Sequence, residues 1–337
     1  MNAIQSSTSN ALERVKYGAK PSRTGKILAV SAVALAAVAL YNTWRARKVE
    51  RDYPPTGRFI TVDGIRLHYI EKGEGPPVVL LHGNVVTAED YVLSGVFNRV
   101  AERHRVIAFD RPGFGFSERP RGVMWTPAQQ ADLLRKAFAR LGIERAVIVG
   151  HSWGTLVALA LALNHRDVVS GLTLLSGYYD WTLRADAPPM VLTAIPVIGD
   201  VMRYTVSPLF GRAVMPLVAK GMFSPRPVPE RFTHGSPYAF AARPSQIRAE
   251  SQDGTTMVPA AVALRKRIRE LRMPIVIMAG TKDRVVGFES HAVGLHEELP
   301  NSDLRLIPDV GHMLHYAVPD QVAEAIESVA DHQGRGT

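Results

Sequence analysis

The feature that most restricts the fold is the stretch VIVGHSWGTL at residues 147–156, where a serine between two glycines separates two apolar runs. The run before it is β-like, and the run after it, LVALALAL, is helical. In the pattern G-x-S-x-G, a sharp strand-to-helix turn strains the serine backbone, and the glycines relieve the crowding. The hydroxyl of Ser152 then lies at a helix N-terminus, where the dipole favours negative charge.

Strand-like and helix-like runs alternate along much of the chain. A first pair of β-like runs, RFITV and IRLHYIE, is joined by Asp63-Gly64, a strong hairpin signal. Further strands are predicted at 77–81, 105–110, 145–150, 172–177, 274–280 and 304–307, and helices at 89–103, 126–141, 153–164, 289–299 and 321–331. This alternation predicts an α/β fold with a mostly parallel, doubly wound sheet led by an antiparallel hairpin.

The alternation is interrupted by a segment rich in proline, arginine and aromatic residues, which contains short helical pieces such as VIGDVMRYTV. The segment is too long for a plain connection, and its apolar content predicts a packed, mostly helical lid. The predicted division is therefore a first part of the core at 57–177, the lid at 178–272 and a second part of the core at 273–332.

The N-terminal region has a separate organisation. A basic tail at 1–26 precedes an uncharged apolar run at 27–44, which is about the minimum length for crossing a bilayer. Tyr41 and Trp44 lie at one end of that run, where interfacial aromatic residues are expected. A basic linker at 45–56 follows. We predict an uncleaved single-pass transmembrane helix that contacts the bilayer through residues 27–44.

Two alternatives to an anchor remain, a cleaved signal peptide with Ala34-Leu35-Ala36 at the processing site and a helix that lies on a surface. Both flanks of the apolar run are basic, so the charges do not fix its orientation. Translocation of a short basic tail is less favourable than translocation of a nearly neutral folded body. The catalytic part is therefore expected outside the cytoplasm.

The net charge of +9 is concentrated at the N-terminus, where residues 1–51 hold nine Lys or Arg against only Glu13 and Glu50. The remainder is nearly neutral and lacks the clustered basic residues that bind polyanions, so nucleic acid is not an expected partner. The chain has no cysteine, which excludes disulfides, a thiol nucleophile and thiolate metal sites.

A serine hydroxyl needs a base, and the base needs a group that orients it. Asp283, in GTKDRVV, follows one predicted strand, and His312, in GHMLHY, follows the next. Both therefore lie at the carboxyl edge of the sheet together with Ser152, in the order Ser…Asp…His. The alternatives are Asp303 or Asp309 for the acid and His315 for the base.

An acyl-transfer site also needs donors for the developing oxyanion. The backbone amide of Trp153 follows the serine, and the loop LLHGN, after the strand at 77–81, offers the amide of Asn84. His151, Tyr178, Tyr179 and Trp181 are candidates for the substrate pocket, with ordinary packing as the alternative. The other histidines show no ligand spacing, so neither a metal nor a cofactor is expected.

The motifs LLHGN, FDRPGFGFS, GHSWG, GTKDRVV and GHMLHY together resemble the α/β-hydrolase superfamily over residues 57–330. The similarity is greatest to the branch of serine esterases, cofactor-free haloperoxidase-like enzymes, carbon–carbon bond hydrolases and epoxide hydrolases. The resemblance implies Ser152 as nucleophile, His312 as general base and then acid, and Asp283 as its orienter. It also implies an oxyanion hole of the Asn84 and Trp153 amides.

Two departures from that branch narrow the chemistry. The epoxide hydrolases and haloalkane dehalogenases that the chain resembles carry Asp at the elbow, because a carboxylate forms their alkyl-enzyme ester. Ser152 disfavours both reactions. Those families also usually have a proline after the HG-x triplet, where this chain has Val85, so the resemblance does not fix the exact path of the Asn84 loop.

These features predict a serine hydrolase that cleaves a hydrophobic carboxylic ester, an esterase or lipase-like enzyme without a cofactor. A carbon–carbon bond hydrolase or a perhydrolase with the same triad is the alternative within enzymes. A non-catalytic binding protein with this fold is the alternative from another class. The sequence leaves the oligomeric state open.

Overall fold

The computed structural model describes residues 22–182 and 192–334. Residues 1–21 of the predicted basic tail and residues 183–191 of the predicted lid lie outside the described residues. The strands are β1 (Arg58–Val62), β2 (Ile65–Lys72), β3 (Pro77–Leu81), β4 (Arg105–Phe109), β5 (Ala146–His151), β6 (Val169–Leu175), β7 (Ile275–Gly280) and β8 (Ser302–Ile307).

The helices from the N-terminus to the start of the lid are α1 (Arg23–Asp52), α2 (Glu89–Ser94), α3 (Val96–Val100), α4 (Pro127–Arg140) and α5 (Gly154–Asn164). The segment predicted to be a lid, residues 178–272, is called the lid below. It holds α6 (Ile198–Tyr204), α7 (Val206–Phe223), α8 (Glu230–Thr233), α9 (Ser236–Phe240) and α10 (Pro244–Arg265). The last helices are α11 (Gly294–Glu298), α12 (Leu314–Ala317) and α13 (Pro319–Gly334), and a π-helical turn (Glu289–Val293) leads into α11.

The strands form one sheet of eight in the order β1-β2-β4-β3-β5-β6-β7-β8 across the described residues. β1, β2 and β4 pair antiparallel, whereas the pairs from β4 to β8 are parallel. This confirms the predicted α/β fold, a mostly parallel sheet led by an antiparallel hairpin. The two residues of the hairpin loop, Asp63 and Gly64, have φ of 50° and 79°, the left-handed geometry that a tight hairpin turn requires.

The centre of the sheet is fully enclosed. All six residues of β5 are buried, and α5, which follows it, is buried from Gly154 to Leu163. One side of the sheet packs against α4 and α5, and the other packs against α2, α3 and α13. Since parallel strands end at one edge, the loops after β3, β5, β7 and β8 meet there.

Helix α1 extends further than the predicted transmembrane run and continues through most of the predicted linker, as far as Asp52. Lys48 and Asp52 form an i,i+4 ion pair of 2.6 Å within this part. The helix is long and apolar enough to cross a membrane by length and composition, and its apolar window is not buried. The side chains of Ile27 and Val33, for example, are 59% and 70% exposed.

The C-terminal half of α1 packs against the lid. The buried side chain of Asn42 donates hydrogen bonds to the carbonyl oxygens of Tyr204 and Thr205, at 2.9 and 2.8 Å. Arg212 of α7 donates in turn to the Asn42 side-chain oxygen at 2.6 Å. Glu50, about two turns further along the helix, pairs with Arg243 at 2.9 Å. Helix α1 therefore has a defined interface with the lid.

Two elements differ from the sequence prediction for local reasons. The helix predicted at 89–103 is divided into α2 and α3 because Gly95, at φ 92°, turns the chain between them. Strand β6 begins at Val169 and ends at Leu175, earlier than the predicted 172–177, because Ser176 already has a left-handed φ of 46°.

Candidate active site

Ser152 lies at the turn from β5 into α5, with a left-handed φ of 52°. Its amide donates to the carbonyl of Leu175 at 2.8 Å, which fixes the turn against β6. The flanking positions require glycine because any side chain there would clash with neighbouring backbone atoms. A Cβ at Gly150 would lie 2.7 Å from Thr155 Cα, and one at Gly154 would lie 2.2 Å from the Leu81 carbonyl oxygen. The crowding expected from the sequence pattern is therefore present on both sides of the serine.

The structure brings Ser152, His312 and Asp283 into one hydrogen-bonded chain. His312 Nε2 lies 2.9 Å from Ser152 Oγ, and His312 Nδ1 lies 2.8 Å from Asp283 Oδ2. The other carboxylate oxygen of Asp283 accepts from the amides of Val285 and Val286, at 2.8 and 2.9 Å. The Ser152 residue is 7% exposed and the His312 side chain 3%, so the chain is largely shielded from water.

The alternative residues lie elsewhere. Asp303 is exposed and pairs with Arg305 at 2.8 Å, and Asp309 is an exposed turn residue with φ 55°. His315 is fully buried, and its Nε2 bonds Asp90 Oδ2 at 2.8 Å. None of the three is hydrogen-bonded to Ser152 or His312 among the described contacts.

The loop after β3 lies directly against Ser152, since a Cβ on Gly83 would come within 3.0 Å of Ser152 Cβ. His82 Nδ1 lies 2.7 Å from the Gly83 carbonyl, and its Nε2 accepts from the Arg111 amide at 2.9 Å. Burial, and then the Arg111 charge, lower the pKa of His82 to about 3, so the ring is neutral. A neutral ring with its proton on Nδ1 satisfies both hydrogen bonds.

The loop bends sharply after Asn84, because Val85 has a φ of 72°. A β-branched residue rarely adopts this geometry, and a proline, fixed near −65°, is excluded from it. The side chain of Gln246, from the lid helix α10, donates to the Val85 carbonyl at 3.0 Å. At Val85 the loop thus follows a backbone path that a proline could not adopt, and a side chain of the lid bonds to it there.

Arg111 holds this loop from behind. It follows β4 in FDRPGFGFS and is fully buried, with its guanidinium between the rings of Phe114 and Trp153 at 4.4 and 4.3 Å. It donates to the carbonyls of His82 and Gly83, at 2.8 and 3.0 Å, and to the Asn84 side-chain oxygen at 2.7 Å. One side chain therefore fixes three consecutive residues of the loop.

The lid reaches the same centre through Asp253 of α10. Asp253 is fully buried between Arg111 and Arg119, at 2.6 and 2.9 Å, and its carbonyl accepts from Trp153 Nε1 at 3.0 Å. One turn earlier in the helix, burial raises the pKa of Glu250 to about 8. The lid helix α10 is therefore tied to both the oxyanion-loop candidate, Asn84, and the residue after the serine, Trp153.

The substrate-pocket candidates occupy different environments. His151 is buried, and its ring packs against those of His312 and His315 with centroids 4.9 and 4.5 Å apart. Tyr178 and Tyr179 are also buried, and Tyr178 packs edge-on against His291. Trp181, by contrast, is 63% exposed and lies just before the undescribed part of the lid.

A second polar cluster lies beneath His312. One Asp90 oxygen bonds His315 Nε2 at 2.8 Å and the other accepts from the Tyr316 hydroxyl at 2.9 Å. One possible ligand atom from each of Asp90, His151 and His315 lies within 4.8 Å of the others, which is close enough for a metal ion. Both Asp90 oxygens already have hydrogen-bond partners, whereas Nδ1 of His151 and Nδ1 of His315 are buried without one in the described part of the chain.

The residues that sequence reasoning missed are those that support the site. Asp253 and Gln246 lie in the lid, at positions without a motif, and only folding brings them to the loop after β3. Arg111 belongs to FDRPGFGFS, one of the motifs that indicated the fold. The sequence alone does not show that this stretch reaches the loop beside Ser152.

The fold and the hydrogen-bonded chain at the strand-to-helix turn define an α/β hydrolase. The profile of the Alpha/beta hydrolase family matches residues 78–325, and the chain belongs to this family. A curated relative, haloalkane dehalogenase 2 of Mycobacterium tuberculosis, is 26% identical over 289 residues, covering 81% of this chain and 94% of the relative.

Two solved structures show how widely the fold extends. The meta-cleavage product hydrolase from Pseudomonas fluorescens, as a serine-to-alanine mutant, is 24% identical with a TM-score of 0.62, covering 82% of this chain and 98% of that one. A membrane phospholipase A, described as a bacterial virulence factor, is 22% identical with a TM-score of 0.64, covering 92% and 97%.

Proposed function

We propose that the protein is a serine hydrolase that cleaves a hydrophobic carboxylic ester through an acyl-enzyme at Ser152. The observation that carries the proposal is the chain of hydrogen bonds from Asp283 through His312 to Ser152 Oγ, at 2.8 and 2.9 Å. Membership of a hydrolase family supports the reaction class, and the serine at the elbow favours acyl transfer over the Asp-dependent reactions of the dehalogenases and epoxide hydrolases it resembles.

In the proposed mechanism, His312 Nε2 takes the proton of Ser152 as Oγ attacks the ester carbonyl. Asp283 accepts from Nδ1–H, which keeps the ring in the required tautomer and stabilises its positive charge. The amides of Asn84 and Trp153 donate to the oxyanion. His312 then passes its proton to the leaving alcohol. Water, deprotonated by the same nitrogen, releases the acid and restores Ser152.

The preference for a hydrophobic acyl group rests on the surroundings of the site. The predicted lid begins with two buried aromatic side chains, Tyr178 and Tyr179, which pack against the ring of His291. Helix α1, apolar and long enough to cross a membrane, packs against the same lid. A membrane phospholipase A has the same fold, although at this identity the likeness concerns the fold alone.

The test is labelling of the purified full-length protein with a fluorophosphonate, followed by a series of ester chain lengths. We expect labelling on Ser152, loss of labelling and turnover in Ser152→Ala, and faster turnover of medium or long acyl chains than of acetate. Ser176→Ala is the matched control, because Ser176 also ends a strand with a left-handed φ and is buried. A folded wild-type protein that takes up no label would refute the proposal.

A carbon–carbon bond hydrolase is the second candidate. The 2-hydroxymuconate semialdehyde hydrolase of Pseudomonas putida is 36% identical over 122 residues, which cover 36% of this chain. The same serine and histidine could serve that reaction, with a ketone in place of the ester carbonyl. Cleavage of a meta-cleavage product at a higher kcat/KM than any ester in the panel would favour this candidate.

We also propose that residues 27–44 anchor the protein in a membrane as a single uncleaved span, with the catalytic part outside the cytoplasm. Helix α1 exposes apolar side chains and also packs against the lid, which supports a helix that stays in the mature protein over one that is cleaved off. Flotation with membranes after carbonate washing and reporter fusions at either end test the anchor and its orientation. Mature protein that begins after residue 36 would show a cleaved signal peptide instead.

A further inference from the structure

A cavity of about 280 Å³ lies between α1 and the lid, away from the Ser152 centre. Its lining includes Arg45 and Val49 of α1, Arg212 and Met215 of α7, Tyr238 of α9, and Arg243 just before α10. The arginines supply charge, whereas the remaining lining side chains are apolar or aromatic. We call this cavity the arginine pocket.

The charge of the arginine pocket is only partly neutralised. Among the described lining residues there is no Asp or Glu, and the nearby Glu50 pairs with Arg243 alone. Arg212 donates to the neutral side chain of Asn42. The Nε atoms of Arg45 and Arg243 are buried without a hydrogen-bond partner in the described part of the chain. Arg243 as a whole residue is only 4% exposed. Such donors can bond an acceptor from outside the chain, and the surrounding positive charge favours an anionic one.

The pocket lies beside the end of the apolar run of α1. Tyr41 and Trp44 are the aromatic residues expected at a membrane interface, and they are 48% and 52% exposed. Trp44 directly precedes Arg45, and Tyr41 lies about one helical turn before it. At 1.5 Å per residue, Val49 lies about 8 Å along the helix axis from Trp44, the depth of lipid headgroups beside an interfacial aromatic residue.

The lid presents an apolar surface next to this position. Helix α7 contributes Arg212 to the pocket and exposes Val206, Phe210 and Leu217 by 56%, 64% and 72%. A helix with arginine toward a pocket and large apolar side chains toward solvent suits the boundary between headgroups and acyl chains.

We propose that the arginine pocket binds the headgroup phosphate of an anionic membrane lipid, whose acyl chains run along the apolar part of α1. A guanidinium matches phosphate oxygens with paired donors, and basic pockets at the ends of membrane helices recognise anionic headgroups. The proposal rests on the membrane anchor through residues 27–44 and does not depend on ester hydrolysis. The bound lipid contacts α1, α7 and the start of α10 together, so it stabilises the interface between α1 and the lid.

The test uses the full-length protein in neutral detergent, with its thermal unfolding midpoint followed during titration with phosphatidylglycerol. We compare wild type with Arg45→Gln/Arg212→Gln and with a matched control, Arg47→Gln/Arg51→Gln. The control removes the same charge from exposed positions of α1 that do not line the pocket. Phosphatidylcholine, inorganic phosphate and glycerol 1-phosphate are titrated in parallel.

We expect phosphatidylglycerol to raise the midpoint of wild type and control alike, because a ligand that binds the folded state stabilises it. The pocket variant should need at least tenfold more lipid, since each lost charge-assisted hydrogen bond weakens binding by about that factor. Equal losses in the two double variants would show general charge attraction and overturn the site. An equal response to phosphatidylcholine or to inorganic phosphate would overturn the lipid assignment.

Arg45→Gln alone is included because the double variant also removes the Arg212–Asn42 contact and could unfold. The single variant should still need about tenfold more lipid, and a wild-type response would contradict the proposal. Fluorophosphonate labelling of Ser152 is recorded on the same samples. Absent labelling with intact lipid binding would therefore refute the hydrolase function but not the arginine pocket.

Discussion

Replacing Arg111 by Met should destabilise the protein more than the loss of any surface arginine. The methionine fills part of the space between Phe114 and Trp153 but cannot donate. The carbonyls of His82 and Gly83 and the carboxylate of Asp253 lose a donor that lies within 3.0 Å of each of them.

The magnitude follows from the burial of both partners, since the side chains of Arg111 and Asp253 are fully shielded from solvent. Removing one partner of a buried ion pair costs about 3–5 kcal/mol, because the other charge is left uncompensated. Asp253 keeps Arg119 at 2.9 Å, which limits that cost, whereas the unpaired carbonyls add about 1–3 kcal/mol each when water cannot reach them. With about 2 kcal/mol left for the ion pair and about 1 kcal/mol for each of the two carbonyls, we expect a total of about 4 kcal/mol. For a folded body of this size that is roughly 6–8 °C in the unfolding midpoint.

The assay is thermal unfolding of the full-length protein in detergent, followed by tryptophan fluorescence. Arg103→Met is the control, because Arg103 pairs with Glu327 at 3.1 Å with 63% of its side chain exposed. Such a surface pair contributes at most about 1 kcal/mol, or a shift of a few degrees. A midpoint for Arg111→Met as close to wild type as that of the control would refute the assigned role.

Arg111→Lys separates stability from positioning. The lysine keeps the charge near Asp253 but cannot donate to the His82, Gly83 and Asn84 acceptors together. We expect a smaller loss of stability than in Arg111→Met and at least a tenfold fall in ester turnover with KM little changed, because the oxyanion loop loses its support. Full turnover in a folded Arg111→Lys protein would show that the loop holds its position without Arg111.

Three further predictions concern single residues. Asp283→Asn should lower kcat on a soluble ester by about 10³–10⁴ with the fold intact, as measured by initial rates and circular dichroism. Glu250→Gln should raise the unfolding midpoint more at pH 8 than at pH 5. Burial raises the pKa of the folded carboxyl to about 8, so between its ordinary value and pH 8 only the unfolded chain ionises, and wild-type stability falls as pH rises. Gly154→Ala should yield little soluble protein, because its Cβ would meet the Leu81 carbonyl at 2.2 Å, whereas Gly221→Ala, with open space around it, should fold normally.

The sequence predicted those parts of the structure that depend on short stretches of chain. The tight turn at Asp63-Gly64 and the strand-to-helix turn at Ser152 each need a backbone geometry that few residues allow, so their signals are local. The placement of Asp283 and His312 also followed from a general rule, because residues after parallel strands meet at one sheet edge. The distances of 2.8 and 2.9 Å between these side chains agree with that expectation.

The contacts between lid and core could not be predicted in this way. Asp253 reaches Arg111 across a separation of 142 residues, and the helix that carries it has no motif and only a weak apolar periodicity. The break at Gly95 was missed for a different reason. A glycine within a helical pattern is often tolerated, and only its φ of 92° shows that the chain turns there.

The contacts of Asn42 with the lid affect what happens when the N-terminal helix is deleted or exchanged. Here a version that begins at Tyr53 would leave the Tyr204 and Thr205 carbonyls and the Arg243 side chain without their partners in α1. The contacts between α1 and the lid therefore limit how far either can be replaced without a matching change in the other.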